Sequence, residues 1–207
     1  SPAILDVATL TRLQGLDWRE LGRAYVESTR PGTAAKPRFV DKLPHNFLYV
    51  GHIARALPNA RIVCLRRDPM DTCLSNFRQL FALSSPYYDY SFDLMDVGRY
   101  YLMFERLMAH WRALFPQRLL EIYYGDLVLE QEPTTRRLLE FCGLPWDEAC
   151  LRFEQNQAPV ATASVVQVRT SMTRAYMGRW QRYGEDLAEL KQLLDTQSLA
   201  AQGRTTG

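Results

Sequence analysis

Two adjacent arginines, Arg66 and Arg67, stand where the apolar run Ile62–Leu65 ends, and Asp68, Pro69, Asp71 and Ser75 follow at short intervals. Asp68 is a favoured N-cap residue. Pro69 suits the first helical position, where its missing N–H costs nothing, and Asp71 at the third helical position completes a capping-box pattern. The spacing predicts a helix whose free N–H groups point back toward the exit of the preceding strand. Arg67 would project from the strand end into that region, with Ser75 two turns into the helix. A guanidinium fork, a hydroxyl and a helix N-terminus together suit a phosphate. The same residues also suit surface ion pairs of Arg66 and Arg67 with Asp68 and Asp71. On these residues alone both readings stand.

The other reactive residue types form no comparable group. The three histidines, His45, His52 and His110, and the four cysteines, Cys64, Cys73, Cys142 and Cys150, show neither a Cys-x-x-Cys pair nor zinc-ligand spacing, so no metal site is expected. Cys64 and Cys73 lie in apolar contexts and read as small core residues. A disulfide between Cys142 and Cys150 is compatible with the sequence, and nothing requires it.

The elements that must position the arginines follow from periodicity. The first thirty residues read as helical, most clearly "LDWRELGRAYVESTR", which Pro31 and Gly32 end. "RFVDK" is a short strand candidate. "NFLYVGHIARAL" carries helical spacing up to Pro58. "ARIVCLRR" has the form of a parallel strand buried on both faces. "MDTCLSNFRQLFAL" is the next helix and "SSPYYDYS" a loop. A long helix carries Leu94, Val97, Tyr101, Phe104, Met108, Trp111 and Phe115 at steps of three and four, which is a core stripe. "LLEIYY" is a strand; "EPTTRRLLEFCGLP" and "WDEACLRFEQN" are helices. "APVATASVVQVRTS" lacks a helical period. "MTRAYMGRWQRY" and "EDLAELKQLLD" close the chain before a frayed tail. Short buried strands alternating with helices indicate an α/β fold with a parallel sheet, whose ligands sit outside the carboxyl ends of the strands. Arg66 and Arg67 lie at such an end.

The bulk composition sets outer limits. At 207 residues and 24.0 kDa the chain is one domain or a small pair, with 47% hydrophobic and 23% charged residues. A net charge of +2 argues against a nucleic-acid coat or a polybasic membrane anchor. No apolar run approaches the roughly 18 residues of a membrane span, and a cytoplasmic location is expected.

Arg-Asp-Pro-x-Asp-x-x-x-Ser, residues 67 to 75, resembles the 3′-phosphate-binding segment of sulfotransferases that use 3′-phosphoadenosine 5′-phosphosulfate (PAPS). Four further stretches agree in order. "DKLPHNF" is similar to the Asp-Lys-x-Pro segment of the tyrosylprotein type and its bacterial relatives. "YYGDLVLE", "RRLLEFCGLPWD", and "TASVVQVR" with "MGRW" resemble later segments of that family. The resemblance covers residues 38 to 190 and implies a P-loop-NTPase-like parallel sheet flanked by helices. It implies that Arg67 and Ser75 hold the 3′-phosphate and that Tyr124 lies in the nucleotide site. Lys42 and Ser164 match residues that stabilise the transition state. The loop from Ser164 through Val165, Val166, Gln167, Val168 and Arg169 would wrap the nucleotide, with Arg179 a cationic residue nearby.

The departures are specific. The family's 5′-phosphosulfate cradle, Gly-x-Pro-Arg-Ser-Gly-Thr, has no counterpart in residues 1–207, and a further cofactor-side arginine falls at Gln79, next to Arg78. The resemblance therefore implies that residues 1–195 are the C-terminal two-thirds of one sulfotransferase domain, with 196–207 a flexible tail. The glutamate base of the tyrosylprotein type would lie upstream. His45, three residues after Lys42, is a substitute base, or else a solvent-facing or capping histidine.

The reaction implied is sulfuryl transfer from PAPS, as cosubstrate and without a metal, to a hydroxyl or amine. Acceptors of that kind include peptidyl tyrosine, a glycan hydroxyl or a small phenol. The alternative is a non-catalytic nucleotide- or peptide-binding module of the same fold. A kinase of the related P-loop fold would need a Gly-x-x-x-x-Gly-Lys loop, which the sequence lacks.

Overall fold

A computed structural model describes residues 11, 13–33, 36–81, 86–156 and 170–202. Helix α1, Trp18–Thr33, begins where the Asp17 carboxylate accepts the N–H groups of Arg19 and Glu20, both at 3.0 Å. Pro31 and Gly32 fall in its final turn. The 3₁₀ segment Pro44–Tyr49 runs directly into helix α2, Val50–Ala56. Helices α1 and α2 meet at Gly22, where a Cβ would lie 1.9 Å from the Ala56 carbonyl oxygen, so only glycine permits the approach.

Residues 38–42 form no regular element and join no sheet among the described residues. A strand exists only when a neighbour takes its backbone groups. Side chains fasten this segment instead: Tyr25 donates its hydroxyl to Asp41, and Arg38 donates to the Cys142 carbonyl. The strand expected there is corrected accordingly.

Strand β1, Ile62–Arg66, pairs in parallel with β2, Leu119–Tyr123, in a register running from Ile62 opposite Leu119 to Arg66 opposite Tyr123. Burial on both faces does not hold for β1 among the described residues. Ile62, Cys64 and Arg66 turn inward, whereas Val63 and Leu65 are 41% and 61% exposed. Between the strands run helix α3, Pro69–Phe77, a 3₁₀ segment, Pro86–Phe92, and helix α4, Leu94–Leu114. Helix α3 stops well short of the expected end. Leu80 beyond it is 84% exposed, and Phe81 stacks on Tyr88 of the following 3₁₀ segment.

After β2 come the short helix α5, Tyr124–Leu129, and α6, Gln131–Cys142, which Gly143 ends in the left-handed region at φ 62°. A kinked 3₁₀ segment, Glu148–Gln155, follows. The C-terminal part is two 3₁₀ segments, Arg174–Tyr176 and Arg179–Leu187, and helix α7, Ala188–Gln202. The single helix expected over "MTRAYMGRWQRY" is broken by Gly178 at φ 66°. The domain boundary expected at residue 195 falls inside α7.

One core cluster joins α3, α4 and the C-terminal helix: Met70, Cys73, Leu74, Val97, Tyr101, Leu187, Leu190 and Leu194. Each such aliphatic side chain contributes about 1.5–3 kcal/mol by leaving water. The packing fixes α3 against α4, and so fixes what stands at the exit of β1. All four cysteines are free thiols. Burial pushes the Cys64 thiol up to about 11 and the Cys73 thiol up to about 12, so both stay protonated and inert, as small core residues do.

Candidate functional site

Outside the carboxyl end of β1 lies a cleft of about 380 Å³. Arg67, Ser75 and Tyr124 line it together, with Thr72 and Asn76 from α3 and Tyr101 and Phe104 from α4. Helix α3 opens as its sequence predicts: the Asp68 carboxylate accepts the Asp71 N–H at 2.9 Å, with Pro69 at the first helical position. The second half of the expected capping box does not form. The Asp71 carboxylate, 2% exposed as a residue, turns away from Asp68 and accepts Gly178 N–H at 2.6 Å and Trp180 N–H at 3.2 Å. It stands 4.0 Å from the Arg67 guanidinium.

Arg67 donates to the Tyr176 carbonyl, and its Nε is buried with no hydrogen-bond acceptor. A buried donor without a partner is costly. An anion in the cleft would supply one, so this wall fits a phosphate group. The Tyr124 hydroxyl donates to the Thr173 carbonyl at 2.9 Å. The segment 173–180 is thus tied to two residues of the cleft lining, Arg67 and Tyr124.

Arg66 is not the surface charge that its sequence position suggests. It is 6% exposed and ion-paired with Glu105 of α4 and Glu121 of β2, while Arg112 holds the other Glu121 oxygen at 2.7 Å. Its guanidinium lies 5.0 Å from the centre of the Phe104 ring. Burial alone would lower its pKa; the Glu105, Tyr101 and Glu121 groups around it reverse that and raise it. Arg66 thus pairs with Glu105 and Glu121 in a buried network, whereas Arg67 keeps its pair with Asp71 at 4.0 Å, and both arginines line the cleft.

The remaining candidates stand apart from the cleft lining. Lys42 is exposed on the segment before Pro44. Arg179 stacks over the Tyr176 ring at 5.5 Å, and Arg78 points to the Tyr183 hydroxyl. His45 is neither solvent-facing nor a cap. It is 5% exposed, with ring centroids 5.0 Å from Tyr87 and 5.1 Å from Tyr88, and burial holds its pKa below the usual histidine value. Ser164, Val165, Val166, Gln167, Val168 and Arg169 lie outside the described residues. Among the described residues no group of His, Cys, Asp and Glu has the makings of a metal site. No described helix is long and apolar enough to cross a membrane.

Sequence reasoning missed Asp71 as a tertiary anchor and Arg66 as a buried hub. The capping pattern accounted for the first without remainder. The second has no local signal, because its partners lie 39 and 55 residues away.

A strand exit, a capped helix and an anion-fitting wall stand together at the end of β1, and comparison with known proteins gives the family. The chain belongs to the sulfotransferase family, matching the family profile described as "Sulfotransferase family" over residues 1–148. It is 38% identical over 170 residues to an uncharacterized protein of Aquifex aeolicus (strain VF5), covering 82% of this chain and 22% of that one. It is 28% identical over 130 residues to protein-tyrosine sulfotransferase A of Caenorhabditis elegans, covering 58% of this chain and 31% of the relative. With the protein-tyrosine sulfotransferase of Drosophila melanogaster it shares 25% identity over 119 residues, covering 58% and 23%. The chain thus spans less than a third of the length of each of these relatives.

Proposed function

We propose that the protein transfers a sulfuryl group from PAPS to a hydroxyl or amine acceptor. The observation that carries this reading is that Tyr124, distant in sequence, lines the same cleft at the exit of β1 as Arg67 and Ser75. Membership of the sulfotransferase family supports it. In this reading the sheet is part of a P-loop-NTPase-like arrangement. The Arg67 fork, the Ser75 hydroxyl and the N-terminus of α3 hold the 3′-phosphate, and Tyr124 borders the nucleotide.

PAPS, when bound, supplies the sulfuryl group. The chain supplies position and charge, which dominate transfers of this type. The Lys42 ammonium offsets developing negative charge and Ser164 supports it. Residues 164–169 cover the nucleotide, with Arg179 close by as a cation. His45 takes a proton only from an acceptor that reaches the Tyr87–Tyr88 cluster.

The test is a calorimetric titration with adenosine 3′,5′-bisphosphate followed by a transfer assay from radiolabelled PAPS. Acceptors would be a tyrosyl peptide, a glycan and a small phenol. Binding with transfer is the expected result. Binding without transfer to any acceptor class would identify a nucleotide-binding module instead. Absence of binding would overturn the nucleotide site.

A further inference from the structure

The Asp71 carboxylate joins two parts of the chain that are 107 and 109 residues apart. From inside the first turn of α3 it accepts both Gly178 N–H and Trp180 N–H. Only 1% of its side chain is exposed. The two donors converge because Gly178 adopts φ 66°, which turns the chain sharply between Tyr176 and Trp180. On the same short segment, the Tyr176 carbonyl accepts from Arg67. Residues 67–71 and 176–180 are therefore fastened by three hydrogen bonds, two accepted by Asp71 and one donated by Arg67.

We infer that Asp71 is a positioning residue of the nucleotide cleft: by clasping Gly178 and Trp180 it docks segment 173–180 on α3, and so sets both the Arg67 guanidinium and the Thr173 carbonyl that meets Tyr124. The inference rests on the nucleotide reading of the cleft. It goes beyond that reading by assigning the cleft's shape to a residue that is not itself in its lining.

The charge of Asp71 makes the inference testable by sign. Its carboxylate sits 4.0 Å from Arg67, so a purely electrostatic role would oppose an anion in the cleft. Removing the charge would then tighten binding. A positioning role gives the reverse, because an asparagine amide in its place keeps one acceptor oxygen for two N–H donors, and the lost bond loosens the segment that carries Tyr176 and Thr173.

The experiment uses the full chain and the near-isosteric D71N variant. Gly178→Ala serves as a second variant that disturbs the same clasp without changing any charge. A Cβ at residue 178 meets Gln181 side-chain atoms at no less than 3.4 Å, so only the positive φ resists the alanine. Residue-resolved amide hydrogen exchange on the free protein is read first. Exchange at Gly178 and Trp180 should rise at least tenfold in both variants, while the amides at Leu74–Phe77 stay unchanged.

Titration with adenosine 3′,5′-bisphosphate is read second, and both variants should bind about tenfold more weakly than the parent. Unchanged exchange at Gly178 and Trp180 overturns the clasp. Faster exchange with equal or tighter nucleotide binding overturns the positioning role and leaves a structural tie. A parent protein that binds no nucleotide defeats the underlying reading, and the exchange result still decides the clasp on its own.

Discussion

Arg66 and Arg67 are neighbours in the chain, yet Arg66 is 6% exposed between Glu105 and Glu121 while Arg67 reaches the Tyr176 carbonyl at the wall of a cleft. Strand alternation separates them. Arg66, the last residue of β1, faces inward beneath α4, and Arg67 is the first residue out of the strand. One arginine supports the floor of the site and the other remains available to a ligand.

For Arg67, replacement by alanine should weaken binding of adenosine 3′,5′-bisphosphate by about 2–4 kcal/mol, as for a lost charged hydrogen-bonding partner. The unfolding midpoint should move little. Calorimetry reads the first quantity and thermal denaturation the second. Unchanged affinity would show that the phosphate sits elsewhere.

Arg66→Met should act on stability instead. It leaves Glu105 without its cation and removes one of the two arginines from Glu121, whose side chain is 13% exposed. Breaking a buried pair from one side costs about 3–5 kcal/mol. Because the Glu105 side chain keeps 30% exposure and Arg112 still serves Glu121, about 2–3 kcal/mol is expected here. Urea denaturation measures it. The double variant with Glu105→Gln should recover part of the loss.

Lys42→Ala should separate rate from binding. Removing an exposed ammonium that acts on developing charge should lower the transfer rate by about 10²-fold or more while nucleotide affinity changes little. Single-turnover transfer with a responsive acceptor, set beside the bisphosphate titration, distinguishes this from a ground-state contact. Loss of both to the same degree would make Lys42 a binding residue.

His45 sets a pH dependence of stability. Burial lowers its folded pKa below the unfolded value near 6.5. Above that unfolded value the neutral form is present in both states and the stability contribution is complete. As pH falls below it, the unfolded chain takes up a proton first, so stability is lost down to the folded pKa. Chemical denaturation across mildly acidic pH should show that loss, and His45→Gln should flatten it. An equal slope in the variant would assign the acid sensitivity to other groups.

The sequence by itself determined the local features: the capped start of α3 at Asp68–Pro69, the apolar stripe of α4 and the extent of the strand in "RIVCLR". Each is set by near neighbours in the chain, through capping, side-chain period and turn chemistry. The order of the motifs also sufficed to identify the sulfotransferase family. What only the tertiary structure decided depended on distant partners. The stretch 38–42 joins no strand among the described residues, and α3 ends early, with Phe81 stacked on Tyr88 of the next segment. Asp71 looks in sequence like half of a capping box, because capping needs only residues three apart. Its carboxylate in fact serves two N–H groups more than a hundred residues away, since the Gly178 turn brings both donors to it.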